Sequence, residues 1–149
     1  MYVVCGSDDI AEWAASLGAR AVLQTSAGLN GAVHDGWKQA RADGADHILV
    51  AHADLPLVTT FAHVPVVGEV TLVPDRHNDG TNVLSMPANT DFVLHYGPGS
   101  FVAHLEEANL RGLPHRVLHD DNLALDLDTA DDLKELDRRT NDSTHTETP

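Results

Sequence analysis

The sequence predicts an α/β domain with a mostly parallel sheet flanked by helices, and three observations carry that expectation. Short apolar runs alternate with amphipathic stretches through the first third of the chain, the pattern left by crossover units of a parallel sheet. A length of 149 residues with 42% hydrophobic content suits one globular core. No apolar run is long enough to span a membrane, and no signal peptide is expected at the N-terminus.

Charge and cysteine use narrow the function classes. A net charge of −14 argues against unaided binding of nucleic acid or of an anionic membrane, because both are negative. A chain this acidic that handles phosphorylated substrates needs metal cations, local arginines or helix ends to bring them in. The single Cys5 excludes an intramolecular disulfide and fits a reducing, cytoplasmic setting. It lies in the apolar run Tyr2-Val3-Val4-Cys5 and reads as a buried structural thiol. The ten histidines show no metal-type spacing and are expected mostly at the surface.

Taken in order, residues 2–5 form a first strand. Ser7 is placed to cap a helix whose apolar face is Ile10, Trp13, Ala14 and Leu17, ending at Gly18. Residues 21–23 are a second strand. The loop Gly28-Leu29-Asn30-Gly31 follows, with Asn30 able to cap the next helix, and such a turn can either cap or approach a nucleotide. Residues 47–51 are a buried strand that ends at His52-Ala53-Asp54-Leu55-Pro56. Ligands in open α/β sheets gather beyond the carboxyl ends of strands, which places Asp54 as a metal-ligand candidate. A short helix is expected over residues 57–62 and a strand over 69–74. A polar loop, Asp75-Arg76-His77-Asn78-Asp79-Gly80, then leads into a strand over 81–86.

The glycine-rich turn Tyr96-Gly97-Pro98-Gly99-Ser100 runs straight into a helix. Ser100 is a good N-cap, Phe101, Leu105 and Ala108 recur at helical spacing, and the turn can seat a phosphate or carboxylate. A strand over 115–118 is followed by a further short one over 123–127, whose alternation would put Asp126 and Asp128 on one face. Two such carboxylates can share one Mg²⁺ with water and phosphate oxygens. Thr129-Ala130-Asp131-Asp132 is a capping-box pattern, so Asp131 and Asp132 read as caps rather than ligands. One domain is expected over residues 1–139, with a disordered tail over 140–149.

The ordered motifs Gly28-Leu29-Asn30, Ala53-Asp54-Leu55-Pro56, Asp75-Arg76-His77 through Gly80-Thr81-Asn82, Tyr96-Gly97-Pro98-Gly99-Ser100 and Asp126-Leu127-Asp128-Thr129 resemble the guanylyltransferases of deazaflavin coenzyme (F-420) biosynthesis. The resemblance spans residues 3–136. It implies a nucleotide-diphospho-sugar transferase-like fold and transfer of a guanylyl group from GTP to phosphoenolpyruvate or 2-phospho-L-lactate. It also implies Mg²⁺ held by Asp54, Asp126 and Asp128. Thr81, Gly97 and Ser100 would hold the phosphorylated three-carbon acid, and Gly28, Leu29 and Asn30 the nucleotide. The family's first strand and basic triphosphate loop are expected to be missing ahead of Tyr2, which should expose an apolar sheet edge and favour a homodimer. Two other readings stay open: another nucleotidyltransferase of this fold, with an acceptor such as 3-phosphoglycerate, and a non-catalytic remnant that binds acid and metal.

Overall fold

Most of the apolar runs and amphipathic stretches fold as their periodicities direct. The computed structural model describes residues 1–144. Its elements are β1 (Tyr2–Cys5), α1 (Asp8–Ser16), β2 (Arg20–Leu23), α2 (Gly28–Ala42), β3 (His47–Ala51), β4 (Val70–Pro74), β5 (Thr81–Pro87), α3 (Ser100–Leu110), β6 (His115–Val117) and α4 (Ala130–Thr144). β1 and β2 pair in parallel as one small sheet, and a second sheet has the order β3-β5-β4-β6. β5 is antiparallel to both β3 and β4, whereas β6 is parallel to β4. Strands β3, β4 and β6 therefore share one direction, as a mostly parallel sheet requires. The departure is β5, which runs against them from the middle of the sheet. β1 and β3 are edge strands, each paired on one side only.

Two apolar layers hold the larger sheet. On one face Leu72, Leu84 and Met86 pack with Trp37 and Ala40 of α2 and Ala108 of α3. Trp37 is buried whole because its indole N–H finds the carbonyl of Ala88 at 3.0 Å. On the other face Val73 and Val83 pack with Leu55, Val64 and Leu123, which come from irregular segments rather than helices. α2 also reaches β1, where a Cβ on Gly36 would lie 2.6 Å from Val4 Cγ2, so the close approach demands glycine. Cys5 is a buried free thiol, as its apolar run implies.

Several expectations give way. Residues 57–62 form no helix, with turns only at Leu57 and Ala62 and irregular chain between them. Val58-Thr59-Thr60 is a β-branched run between prolines, too short and stiff to nucleate one. Residues 123–127 form no strand. The N–H groups of Asn122 and Leu123 are taken by Asp120 Oδ1, that of Ala124 by the Asp120 carbonyl, and that of Leu127 by the Asp54 carbonyl. Of the expected apolar face of α1 only Ala14 is buried, while Ile10, Trp13 and Leu17 stay exposed. The expected tail begins as helix, because α4 runs on to Thr144 with Glu135 paired to Arg138 and Arg139 along it. Residues 145–149 lie outside the described residues. Among the described residues no helix is long and apolar enough to cross a membrane.

Candidate functional site

The site residues gather where β3, β4 and β6 end and β5 begins. Thr81 owes its direction to a bulge. Val73 faces Val83, but the next residue of β4, Pro74, faces Thr81, so Asn82 is an extra residue on β5. An extra residue reverses the alternation of side chains beyond it. Without it, Thr81 would share the face of Val83, which packs against Leu55 and Leu123. With it, Thr81 turns to α3 and its hydroxyl lies 3.0 Å from His104 Nδ1. Asn82 turns the other way and donates to the Leu123 carbonyl at 3.0 Å.

The turn ahead of α3 departs from its expected capping. Gly99, at φ 72°, is the N-cap, and Ser100 is already the first helical residue. The buried Ser100 accepts the N–H of Thr81 on its Oγ at 3.0 Å. The expected anion seat is partly filled from within. The N–H of Gly99 donates to Asp79 Oδ2 at 3.2 Å and that of Phe101 to the Asp79 carbonyl at 3.0 Å, while Ser100 N–H returns to the Gly97 carbonyl at 3.1 Å. A carboxylate resting on the helix start is the contact an oxyanion ligand would make there. The N–H of Gly97 has no protein acceptor among the described residues. A Cβ at Gly97 would meet open space, yet its φ of 138° excludes ordinary side chains without strain.

Asn30 is not a cap. α2 starts at Gly28 with Ala27 as N-cap, and the Asn30 amide bridges to Tyr96 instead. It donates to the Tyr96 carbonyl at 2.9 Å and accepts the Tyr96 N–H at 2.7 Å, as a neighbouring strand would. The structure thus brings the Gly28-Leu29-Asn30 turn against the glycine-rich turn. Gly28 and Leu29 themselves stay exposed.

His104 and Glu107 complete the hold on that turn, and neither is singled out by the sequence. Glu107 accepts the Val93 N–H at 3.0 Å and pairs with Arg111. Burial pushes its carboxyl up, but these partners outweigh it and hold the carboxyl below its usual range. His104 is fully buried and accepts the His95 N–H on Nε2 at 2.8 Å. Nε2 therefore carries a lone pair, the ring proton sits on Nδ1, and Nδ1–H donates to the Thr81 hydroxyl. Burial, aided by the charge of His95 and opposed by Glu107, lowers the imidazole to about 4 and keeps it neutral. The signal available in the sequence was spacing: His104 lies four residues beyond Ser100, on the same helical face.

The Asp54 loop lies beside the segment of Asp126 and Asp128, but the expected three-aspartate metal set is not assembled. The hydrogen bond from Leu127 N–H to the Asp54 carbonyl, at 3.2 Å, sets the Asp54 loop beside the segment carrying Asp126 and Asp128. Burial first, then the charges of Asp128 and Asp75, push the Asp126 carboxyl up, with Asn82 opposing. Asp75 is spoken for, taking the N–H groups of His77, Asp79 and Gly80. Arg76 is withdrawn too, since it pairs with Asp132. Asp132 behaves as the capping pattern implies, accepting the Thr129 hydroxyl and N–H, each at 2.7 Å. Those contacts and Arg76 bring its carboxyl down to about 2 against the cost of burial. Among the described residues no group of three His, Cys, Asp or Glu side chains converges on one point that could hold a metal. Mg²⁺ needs only one or two carboxylates when phosphates and water fill its other positions. The crowded Asp126 and Asp128, with hard oxygen donors and an uncompensated charge, fit such an ion.

An antiparallel strand set among three that run together, with helices packed on one face and irregular segments on the other, defines an α/β domain of mixed sheet order. The fold is shared with a solved structure from Desulfovibrio desulfuricans G20, described as a "putative nucleotide-diphospho-sugar transferase", which superposes with a TM-score of 0.69 at 18% identity, covering 99% of this chain and 68% of that one. The chain belongs to the guanylyl transferase family whose model, described as "Guanylyl transferase CofC like", matches residues 1–147. Among its curated relatives, the phosphoenolpyruvate guanylyltransferase of Sphaerobacter thermophilus is 39% identical over 142 residues, covering 91% of this chain and 68% of the relative. That of Rubrobacter xylanophilus is 37% identical over 143 residues, covering 92% and 70%. The 2-phospho-L-lactate guanylyltransferase of Methanocaldococcus infernus is 27% identical over 142 residues, covering 91% and 63%.

Proposed function

We propose that the chain transfers the guanylyl group of GTP to phosphoenolpyruvate, in coenzyme F-420 biosynthesis. A phosphate oxygen of the acid forms a bond to the α-phosphorus of GTP as the bond from that phosphorus to the bridging oxygen breaks and pyrophosphate leaves. The observation that supports this reading is the turn ahead of α3. The exposed Gly97 has no protein acceptor for its N–H among the described residues and offers that donor to an oxyanion. Behind it Thr81 and Ser100 are buried, each hydroxyl accepting a hydrogen bond from within the protein, and they hold the turn in place.

The protein supplies alignment rather than covalent chemistry. The Gly97 turn orients the acid, Thr81 and Ser100 brace that turn from behind, and the Asn30 clamp fixes it to α2. Asp126 and Asp128 are the residues to hold Mg²⁺, which when bound would neutralise charge on the phosphate oxygens. Identities of 39% and 37% to two relatives named for phosphoenolpyruvate, against 27% and 30% to two named for 2-phospho-L-lactate, support the choice of acceptor.

The test is Mg²⁺-dependent pyrophosphate release with GTP and phosphoenolpyruvate, in the parent and in a chain with Asp126→Asn and Asp128→Asn together. A loss of about a hundredfold or more is expected on removing charged ligands. Unchanged metal-dependent turnover in the double variant would overturn the assignment.

A further inference from the structure

We propose that the groove between α2 and residues 89–94 is a second binding site, for a small phosphate monoester with an apolar body. The site lies apart from the transfer reaction, and its test needs no turnover.

The cavity there measures about 910 Å³, within the usual range for organic ligands. It gathers the positive charge that the chain spends elsewhere. Of nine lysines and arginines, six pair with a carboxylate. Arg116 donates to Thr71 and to the carbonyls of His63 and Val64. The other two, Lys38 and Arg41, have no ion pair or side-chain hydrogen bond among the described residues, and both line this cavity. His34 lines it too, one turn of α2 before Lys38. Asp91 is the single carboxylate of the lining, and it pairs with neither cation. In a chain of net charge −14, two free cations side by side are an exception with a local purpose. A dianionic phosphate balances both, the guanidinium forking onto two oxygens and the ammonium acting as a point charge.

The opposite wall supplies an apolar surface and an unspent hydroxyl. Phe92 and Leu94 line the cavity across from Trp37 of α2. The Trp37 indole is held by the Ala88 carbonyl at 3.0 Å, just before this segment begins. Thr90 also lines the cavity, and its Oγ1 is buried without a hydrogen-bond partner. An unpaired buried hydroxyl is costly, and a ligand oxygen would satisfy it. Asn30, at one end of the groove, spends its amide on Tyr96. Lys38 sits about 12 Å further along α2 at the helical rise, and Arg41 lies beyond it. The cationic end is therefore set apart from the Gly97 turn, which forms no part of the lining.

The probe is phenyl phosphate, with inorganic phosphate for comparison, followed by nitrogen-15 NMR of the whole chain. Trp37 and Trp13 give separate indole signals, and Trp13 is exposed on α1, outside the cavity. Phenyl phosphate should shift the Trp37 indole and the amides of residues 89–94 saturably, with a Kd on the order of millimolar, and leave Trp13 in place. Inorganic phosphate lacks the apolar body and should bind about tenfold more weakly or worse. Lys38→Gln with Arg41→Gln should weaken phenyl phosphate about tenfold or more, the usual loss for charge-assisted hydrogen bonds. Thr90→Val keeps the side chain's shape, so it should weaken binding severalfold without lowering Tm. Shifts that never saturate overturn the proposal, as do shifts centred on the Gly97 turn or an affinity that inorganic phosphate matches. Undiminished binding in the double variant or in Thr90→Val overturns it as well.

Discussion

Lowering the pH from about 7 to about 5 asks the fold to keep a neutral imidazole that the unfolded chain would protonate. Burial, aided by the charge of His95, lowers His104 from its ordinary 6.5 to about 4. The unfolded chain takes up a proton as the pH falls through 6.5, and the folded chain does not until about 4. Stability is therefore fully present above the unfolded value and is lost as the pH falls toward the folded one. Integrating the proton difference gives a loss of about 2 kcal/mol between pH 7 and pH 5, and about 3 kcal/mol by pH 4. That is a large share of the roughly 5–15 kcal/mol that holds a domain of this kind. Burial lowers His47 as well and adds to the same slope. The depressed carboxylates act elsewhere. Hydrogen bonds from Thr129 hold Asp132 at about 2, and the N–H groups of Thr25 and Ser26 hold Asp35 at about 2. Their contribution is intact above the ordinary carboxylate range and fades only as the pH falls toward 2. Asp126 has the opposite sign, because a raised carboxyl gains stability as it protonates. The assay is urea unfolding at stepped pH for the parent and for His104→Gln, comparing the fall in stability rather than its absolute value. The variant should lose markedly less between pH 7 and pH 5. An equal loss in both would refute a neutral buried His104.

Two further outcomes follow from the same contacts. Asn30→Ala removes both hydrogen bonds to the Tyr96 backbone and should cost about 1–3 kcal/mol in thermal unfolding, with faster amide exchange at Tyr96. Unchanged exchange there would show that the clamp does not hold the turn. Asp126→Asn, in the absence of divalent metal, should raise Tm by a few degrees, roughly the effect of 1 kcal/mol in a domain of this size, since burial, Asp128 and Asp75 all disfavour its charge. A fall in Tm would contradict that balance.

Much of this fold is legible along the chain because helix and strand periods are local properties. Residues 28–42 and 100–110 show their helices in spacing alone, and the run at 47–51 shows its strand. What pairing decides is not legible in this way. The bulge at Asn82 arises between β4 and β5, and strict alternation along β5 would have sent Thr81 to the wrong face. Likewise Asp126 and Asp128 have strand spacing, but Asp120 captures the preceding N–H groups and turns the chain. His104 is hidden for another reason. A histidine among ten in an acidic chain reads as surface, and only its register with Ser100 marks it as part of the buried face of α3.

The charge pattern sets the order of events that the proposed reaction needs. Arg76, the cation nearest the site by sequence, is consumed by Asp132, and Asp79 already rests on the start of α3. No cation of this loop therefore serves the proposed acid site at the Gly97 turn, and Asp79 and the aspartates beyond Asn82 only add negative charge near it. Two unit charges about 4 Å apart near a protein surface repel by roughly 4 kcal/mol, more than one neutral donor returns. A phosphorylated acid and the carboxylates Asp126 and Asp128 are thus poor neighbours until a divalent cation lies between them. On this reading acid and cation strengthen each other's binding by the same factor, as linkage requires. The raised Asp126 carboxyl is then the cost of the site without its cation. On the proposed reading the Gly97 turn sets where the acid lies, and the aspartates set whether it can stay.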